Sequence, residues 1–221
     1  MKELLYGIPP RIAVPSKGPL YEGSVDALRR AGVTWDEEDR KLCFRSANFL
    51  DKQFVLGFLR PKDIVRLISS ERLDMGIAGQ DSIAELGLPV KDLGPLGFGR
   101  GEVVLAGKVY SGDRFFLPSL RDKKVATCYP KLAFDFFARR GIAAQIEEYG
   151  GALEGTIDMG LASAIVDVKE TGRSLVVNGL SELAKLMDTQ AALIQNCSYR
   201  GDTTLQNRLA DRLINQARKA T

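Results

Sequence analysis

The chain has no histidine among its 221 residues. That absence excludes Ser-His-Asp and Cys-His nucleophile machinery and any histidine-ligated metal site. A reaction run here must need little proton shuttling near neutral pH, or must use carboxylates and lysines for it. Cysteine is scarce too. Cys43, Cys128 and Cys197 are widely spaced and odd in number, which reads as reduced, packed thiols of a cytosolic protein. No apolar run is long enough to span a bilayer, and the first residues lack the apolar core of a secretory signal. A cytoplasmic protein without a membrane partner is expected. The net charge of +3 is too small and dispersed for a nucleic-acid platform, while a modest positive bias suits a small anionic ligand.

What is present is ordinary for a globular protein: 45% hydrophobic and 27% charged residues, enough to bury a real core. Short apolar runs alternate with helical spacing. Strands are expected at 11–15, 53–59, 74–78, 103–106, 124–127, 144–148, 164–168 and 191–195. Helices are expected at 20–31, 62–70, 80–86, 132–140, 181–187 and 205–219. This rhythm predicts an α/β fold with mostly parallel sheets. Residues 87–101 hold five glycines and two prolines, a suitable place for a crossing between domains. Two lobes with a cleft between them follow, with lobe I formed by 1–95 plus 184–221 and lobe II by 96–183.

Four stretches could carry chemistry. In Asp167-Val-Lys-Glu-Thr-Gly-Arg-Ser-Leu175 an acid ends a buried strand, where open α/β sheets usually bind ligands. Asp167 can accept hydrogen bonds from two adjacent sugar hydroxyls. Thr171, Gly172 and Ser174 can offer hydroxyls and backbone N–H groups to a phosphate, and Arg173 can add charge. Together these describe a ribose 5-phosphate site; an ordinary strand-to-loop turn is the alternative. Ser16, Lys17 and Gly18 sit between a strand and a helix, as a second anion site or a solvated capping turn. Glu154 is a base, a ligand contact or a surface acid. Arg40, Lys41 and Arg45 are a cationic rim or a solvated strand edge.

Taken in order, RIAVPSKGPL (11–20), RKLCF (40–44), RPKDI (60–64), DMGIAGQD (74–81), LGFGRGEVVLA (96–106), VATCYPKL (125–132) and the run from Glu154 to Leu180 resemble the short form of ATP phosphoribosyltransferase, the first enzyme of histidine biosynthesis. The resemblance implies a two-lobed, periplasmic-binding-protein-like fold. It implies transfer of phosphoribosyl from phosphoribosyl pyrophosphate (PRPP) to N1 of ATP, with release of pyrophosphate and Mg²⁺ carried with PRPP. Asp167, Glu170, Thr171, Gly172, Arg173 and Ser174 would bind PRPP. Lys17 and Arg40 would be catalytic, on the leaving-group side and partly across a dimer interface. Ser16, Gly18, Arg45 and Glu154 would bind nucleotide. No dedicated metal ligand is implied. The implied assembly is a homodimer, or a hetero-oligomer with a histidyl-tRNA-synthetase-like regulatory subunit.

Several positions depart from the family pattern. Pro19 stands where an arginine is usual, and removing such a charge-stabilising donor can cost about 10²–10³ in rate. Ala152 and Leu153 replace Ser-Val, Ser163 replaces an aspartate, and Gly101-Glu102 replaces Cys-Arg with reversal of charge. Ser174 keeps the hydroxyl of a usual threonine. The phosphoribosyl half of the motif set is intact; the leaving-group and purine halves are altered. Three readings follow: the family reaction with Arg40 or Arg45 standing in for the lost cation, a paralogue with a different acceptor or sugar phosphate, or a non-catalytic nucleotide- or sugar-phosphate-binding subunit.

Overall fold

The computed structural model describes residues 9–36, 44–109, 115–198 and 204–219. The chain divides into two compact units, 1–99 with 190–221 and 100–189.

The first unit is a seven-stranded sheet flanked by helices. β1 (Arg11–Pro15) lies between β4 (Lys52–Leu59) and β5 (Met75–Gly79), parallel to both. β2 (Thr34–Trp35) and β3 (Phe44–Phe49) extend one edge by antiparallel pairing. β12 (Ala191–Gln195) and β6 (Lys91–Pro95) extend the other, also antiparallel. The central strands are buried on both faces, so β1 and β5 read as near-continuous apolar runs. Helix α1 (Gly18–Ala31) and helix α7 (Thr204–Lys219) cover one face. Helix α2 (Pro61–Ser69) covers the other, with α3 (Gln80–Leu86) beside it. Gly76 explains how α2 lies so close. A Cβ there would come within 2.8 Å of the Ala13 carbonyl and 2.7 Å of Ile64 Cγ2.

The second unit is a five-stranded sheet in the order β11-β7-β10-β8-β9, from β7 (Gly101–Gly107), β8 (Lys124–Thr127), β9 (Gln145–Glu148), β10 (Ala164–Lys169) and β11 (Ser181–Thr189). One face packs on α4 (Pro130–Ala138) through Val103, Leu105, Val125, Val166, Phe136 and Phe137. The other carries Val104, Ala106 and Ile165, covered by Leu153, before α5 (Glu154–Asp158), and by Leu175 of α6 (Arg173–Val177).

Three expectations change. The sheets are mixed rather than mostly parallel: parallel pairing is confined to β4-β1-β5 and β10-β8-β9, and antiparallel strands close the edges. Residues 181–187 are strand, not helix. β11 carries two register shifts against β7, at Glu182/Ala184 and Lys185/Met187. Each extra residue moves the following side chain to the same face, so Leu183, Ala184, Leu186 and Met187 all pack on the α4 side. That spacing imitates a helical period. Finally, the crossings fall at 99/100 and 189/190, because all of β11 pairs with β7 and so belongs to the second unit.

Candidate functional site

β10 builds the site by its pleat. Alternate residues Ile165, Asp167 and Lys169 share the face of Val104 and Ala106. Beyond the strand end, Glu170 and Thr171 lead to Gly172, whose φ of 75° places it in the left-handed region and turns the chain into α6. These residues, with Glu154 and the run from Val168 to Leu175, line one pocket of about 150 Å³. Asp167, Glu170, Thr171, Gly172, Arg173, Ser174 and Glu154, separated in sequence by up to twenty positions, therefore meet in one place.

The pocket is held from several sides. Val168 N–H donates to Asp167 Oδ1 at 2.8 Å, fixing the carboxylate at the strand end. Ser174 Oγ donates to Glu154 Oε1, tying α6 to α5. Leu153, fully buried, anchors the start of α5, and Thr156 Oγ1 donates to the Leu153 carbonyl at 2.6 Å. From the neighbouring strand, buried Thr127 Oγ1 donates to the Val166 carbonyl at 2.8 Å and accepts the Tyr129 N–H at 2.8 Å.

Lys169 also lines the pocket, and its charge is shared. Its Nζ lies 2.6 Å from Glu102 Oε2 and 2.5 Å from Glu182 Oε2. Lys185 Nζ joins at 3.2 Å from Glu102 Oε1 and 2.9 Å from Asp188 Oδ1. The hydrogen bonds from Lys169 and then Lys185 hold the Glu102 carboxyl below its ordinary range. Those from Glu102 and then Glu182 push the Lys169 ammonium up. Asp188 and then Glu102 do the same for Lys185.

The remaining candidates lie in the first unit. Ser16, Lys17 and Gly18 join β1 to α1, and all three are exposed. Ser16 N–H donates to the Leu59 carbonyl at 2.9 Å. Lys17 is the N-cap of α1 with no side-chain cap bond, Gly18 has φ 73°, and Pro19 follows in the first turn. Arg45 stands on β3 with its guanidinium carbon 4.8 Å from the centroid of the Phe58 ring. Phe58 in turn meets Tyr21 at 6.0 Å and Trp35 at 6.5 Å. Arg45 Nε is buried and makes no hydrogen bond among the described residues. Arg40 and Lys41 lie outside the described residues.

Lys169 was not singled out from sequence, although the period of two from Asp167 marks it. Glu102 could be seen only as a departure. Its partners come from two other strands, and their pairing depends on the β11 bulges.

The fold is that of the two-lobed periplasmic-binding-protein type. It is shared with a GluR0 ligand-binding core complexed with L-glutamate (TM-score 0.60, 13% identity, 97% of this chain and 94% of that one). It is shared also with the arginine-bound ArgBP of Thermotoga maritima (TM-score 0.58, 11% identity, all of both chains). The chain belongs to the ATP phosphoribosyltransferase (HisG) family, whose sequence profile matches residues 60–216. An ATP phosphoribosyltransferase of Nocardia farcinica is 35% identical over 92% of this chain and 70% of that protein. One of Methanocella arvoryzae is 37% identical over 83% of this chain and 64% of that protein. In structure, the ATP phosphoribosyl transferase (HisG:HisZ) complex from Thermotoga maritima superposes with TM-score 0.78 at 25% identity, covering 95% of this chain and 99% of that one.

Proposed function

We propose that the chain is an ATP phosphoribosyltransferase that transfers the 5-phosphoribosyl group of PRPP to N1 of ATP and releases pyrophosphate, the first step of histidine biosynthesis. The observation that carries this is the single pocket in which Asp167 at a strand end meets the Thr171–Ser174 loop and Glu154. A carboxylate for a diol and a glycine-turned loop of hydroxyls and amides for a phosphate, side by side, match the two ends of a ribose 5-phosphate.

In this reading Asp167 accepts hydrogen bonds from the ribose hydroxyls. The hydroxyls of Thr171 and Ser174 and the backbone N–H groups around Gly172 take the 5-phosphate, and Arg173 adds positive charge. Ser174 gives up or shares its bond to Glu154 when the phosphate enters. The C1–O bond to pyrophosphate breaks with its electron pair leaving on the pyrophosphate, and the N1 lone pair of adenine forms the new C1–N bond. Such a displacement passes through an oxocarbenium-like state, so the protein contributes positioning and charge stabilisation rather than strong base catalysis. A chain without histidine can do this. Lys17, Arg40 and Arg45 are assigned to the pyrophosphate and nucleotide, with Ser16 and Gly18 offering a hydroxyl and an amide.

Mg²⁺ enters with PRPP, as part of the substrate. An ion chelated by pyrophosphate oxygens keeps several waters and needs at most one or two protein carboxylates. Asp167 and Glu154 line the pocket and fit that requirement. The ion neutralises the departing pyrophosphate. The proposed assembly is a homodimer that also pairs with a histidyl-tRNA-synthetase-like regulatory subunit, in the cytoplasm. The HisG:HisZ complex of the structural relative supports the pairing.

Pro19 favours one second reading, a paralogue with the same phosphoribosyl loop and another acceptor. The test mixes purified protein with ATP, PRPP and Mg²⁺, alone and with a regulatory subunit, and reads phosphoribosyl-ATP and pyrophosphate by mass spectrometry. Product lost in Asp167→Ala is the expected result. PRPP binding by calorimetry without product from ATP would sink the ATP assignment and favour another acceptor.

A further inference from the structure

We propose that Lys169 is a positioning residue that holds the loop 170–174 in its phosphate-binding form through Glu102 and Glu182. This rests on reading the pocket as a phosphoribosyl site. Three observations meet here. Lys169 and Glu102 are direct cross-strand partners in the β10–β7 ladder, and the ammonium reaches on to Glu182 of the next strand. One side chain thus spans three strands just before the loop begins. Secondly, the lysine stem runs alongside the turn: a Cβ at Gly172 would rest 3.7 Å from Lys169 Cδ and 3.8 Å from Cγ. Thirdly, Gly101 lets β7 approach the loop closely. A Cβ there would come within 2.9 Å of the Lys169 carbonyl and 3.6 Å of Glu170 Cα.

These contacts give the Gly101-Glu102 departure a physical meaning. A side chain at 101 would press on the loop backbone. An arginine at 102 would face Lys169 and Lys185 as a third cation. The pair present here does the opposite at both positions: it makes room and supplies the anion. An isolated exposed ion pair contributes little. This one differs because Glu102 is shared by two lysines, Lys169 by two glutamates, and its stem lies beside the glycine that turns the loop, close enough to meet a Cβ placed there. With two of its three donors committed to carboxylates, Lys169 acts on the phosphate through the loop rather than as a ligand.

The test compares Lys169→Met, which keeps the stem and removes the charge, with Lys169→Arg and Glu102→Gln. Amide hydrogen exchange at residues 170–174 of the ligand-free protein is read first, then PRPP affinity by calorimetry, KM for PRPP and for ATP, and kcat. Exchange in the loop and KM for PRPP should rise about threefold to tenfold in Lys169→Met. KM for ATP should move by less, Lys169→Arg should recover most of the loss, and Glu102→Gln should fall between. Unchanged loop exchange in Lys169→Met overturns the proposal. So does a loss of thermal stability with both PRPP parameters intact, or an equal rise in KM for both substrates. A wild-type chain that binds no PRPP would defeat the substrate reading by itself, and the exchange comparison would still decide whether Lys169 holds the loop.

Discussion

Two loops of this protein follow the same plan and differ in how they are enclosed. Each leaves the C-terminal end of a buried strand, turns at a glycine of positive φ and enters a helix: Ser16–Pro19 after β1, and Glu170–Ser174 after β10. The second is walled by Glu154 from α5, bordered by Lys169 and floored by Val104, Ala106 and Ile165. The first is exposed throughout, and ahead of α1 its Ser16 N–H donates to the Leu59 carbonyl at 2.9 Å. The departures follow the same division. Ser163 immediately precedes β10, about 13 Å along the chain from Asp167, and does not line the pocket. Leu153 is absorbed into the core beneath the pocket, and Glu102 is matched by Lys169 and Lys185. Pro19, by contrast, stands exposed in the first turn of α1. An enclosed site corrects a substitution with neighbours; an open loop has few neighbours to do it.

The largest effect should come from removing the feature the second loop is built around. Asp167→Ala deletes an acceptor for two ribose hydroxyls, and each charge-assisted hydrogen bond contributes about 1.5–3 kcal/mol. Steady-state assays should show kcat/KM for PRPP lower by about 10²–10⁴, with the melting temperature nearly unchanged because the carboxylate is at a strand end. A loss equally large in stability would mean that Asp167 is part of the frame and not of the ligand site.

Next comes the frame itself. Leu153 is fully buried and immediately precedes Glu154. Leu153→Ala should lower the stability of the second unit by about 2–5 kcal/mol. Thermal denaturation followed by proteolysis mapping should place the loss in 100–189 and leave the first unit protected. In contrast, Ser16→Ala, on the open loop, should barely shift the transition.

The proline separates the two regions most directly. Pro19→Arg restores a cation at an exposed first-turn position. If the altered loop limits the rate, kcat should rise by up to about 10²–10³, while binding of the ribose 5-phosphate end of PRPP, assigned to the other unit, stays the same. No gain would show that another cation already serves. Arg45, over Phe58 with an Nε unpartnered among the described residues, would be the next residue to remove.

How much of this could be read from the sequence differs in the same way. The β10 strand, its acid and the glycine turn are local signals, and local signals are legible: a buried run, then an acid, then Thr-Gly. The β1–loop–α1 unit was legible for the same reason. What was not legible depends on strands distant in sequence. β11 looked helical because two bulges put four apolar residues on one face. The antiparallel strands β3 and β6 carry weak patterns: β3 is exposed at alternate residues, and β6 is an edge strand that ends in Gly-Pro. Glu102 looked like damage until β7 was placed between β10 and β11.

The smallest expected effect is the pH dependence of the network around Glu102, and its sign follows from the shifts. Glu102 is held below its ordinary value of 4.5 by Lys169 and Lys185. A carboxyl with a depressed folded value stabilises above its unfolded value and loses that contribution as the pH falls through the folded one. Lys169 is raised above 10.5 by Glu102 and Glu182. Its contribution is complete below the unfolded value and is lost as the pH rises through the folded one. The network is therefore complete from about pH 5 to pH 10. The difference in melting temperature between wild type and Glu102→Gln should be flat across that window, begin to shrink below pH 4.5, and vanish only once the pH has fallen through the depressed value at which the folded carboxyl takes up its proton. It should shrink again above pH 10.5, as the lysines lose theirs. A difference that persists unchanged at pH 3 would show that Glu102 acts through packing and shape, and the charge sharing behind the phosphate loop would then play no part in the contrast between the two loops.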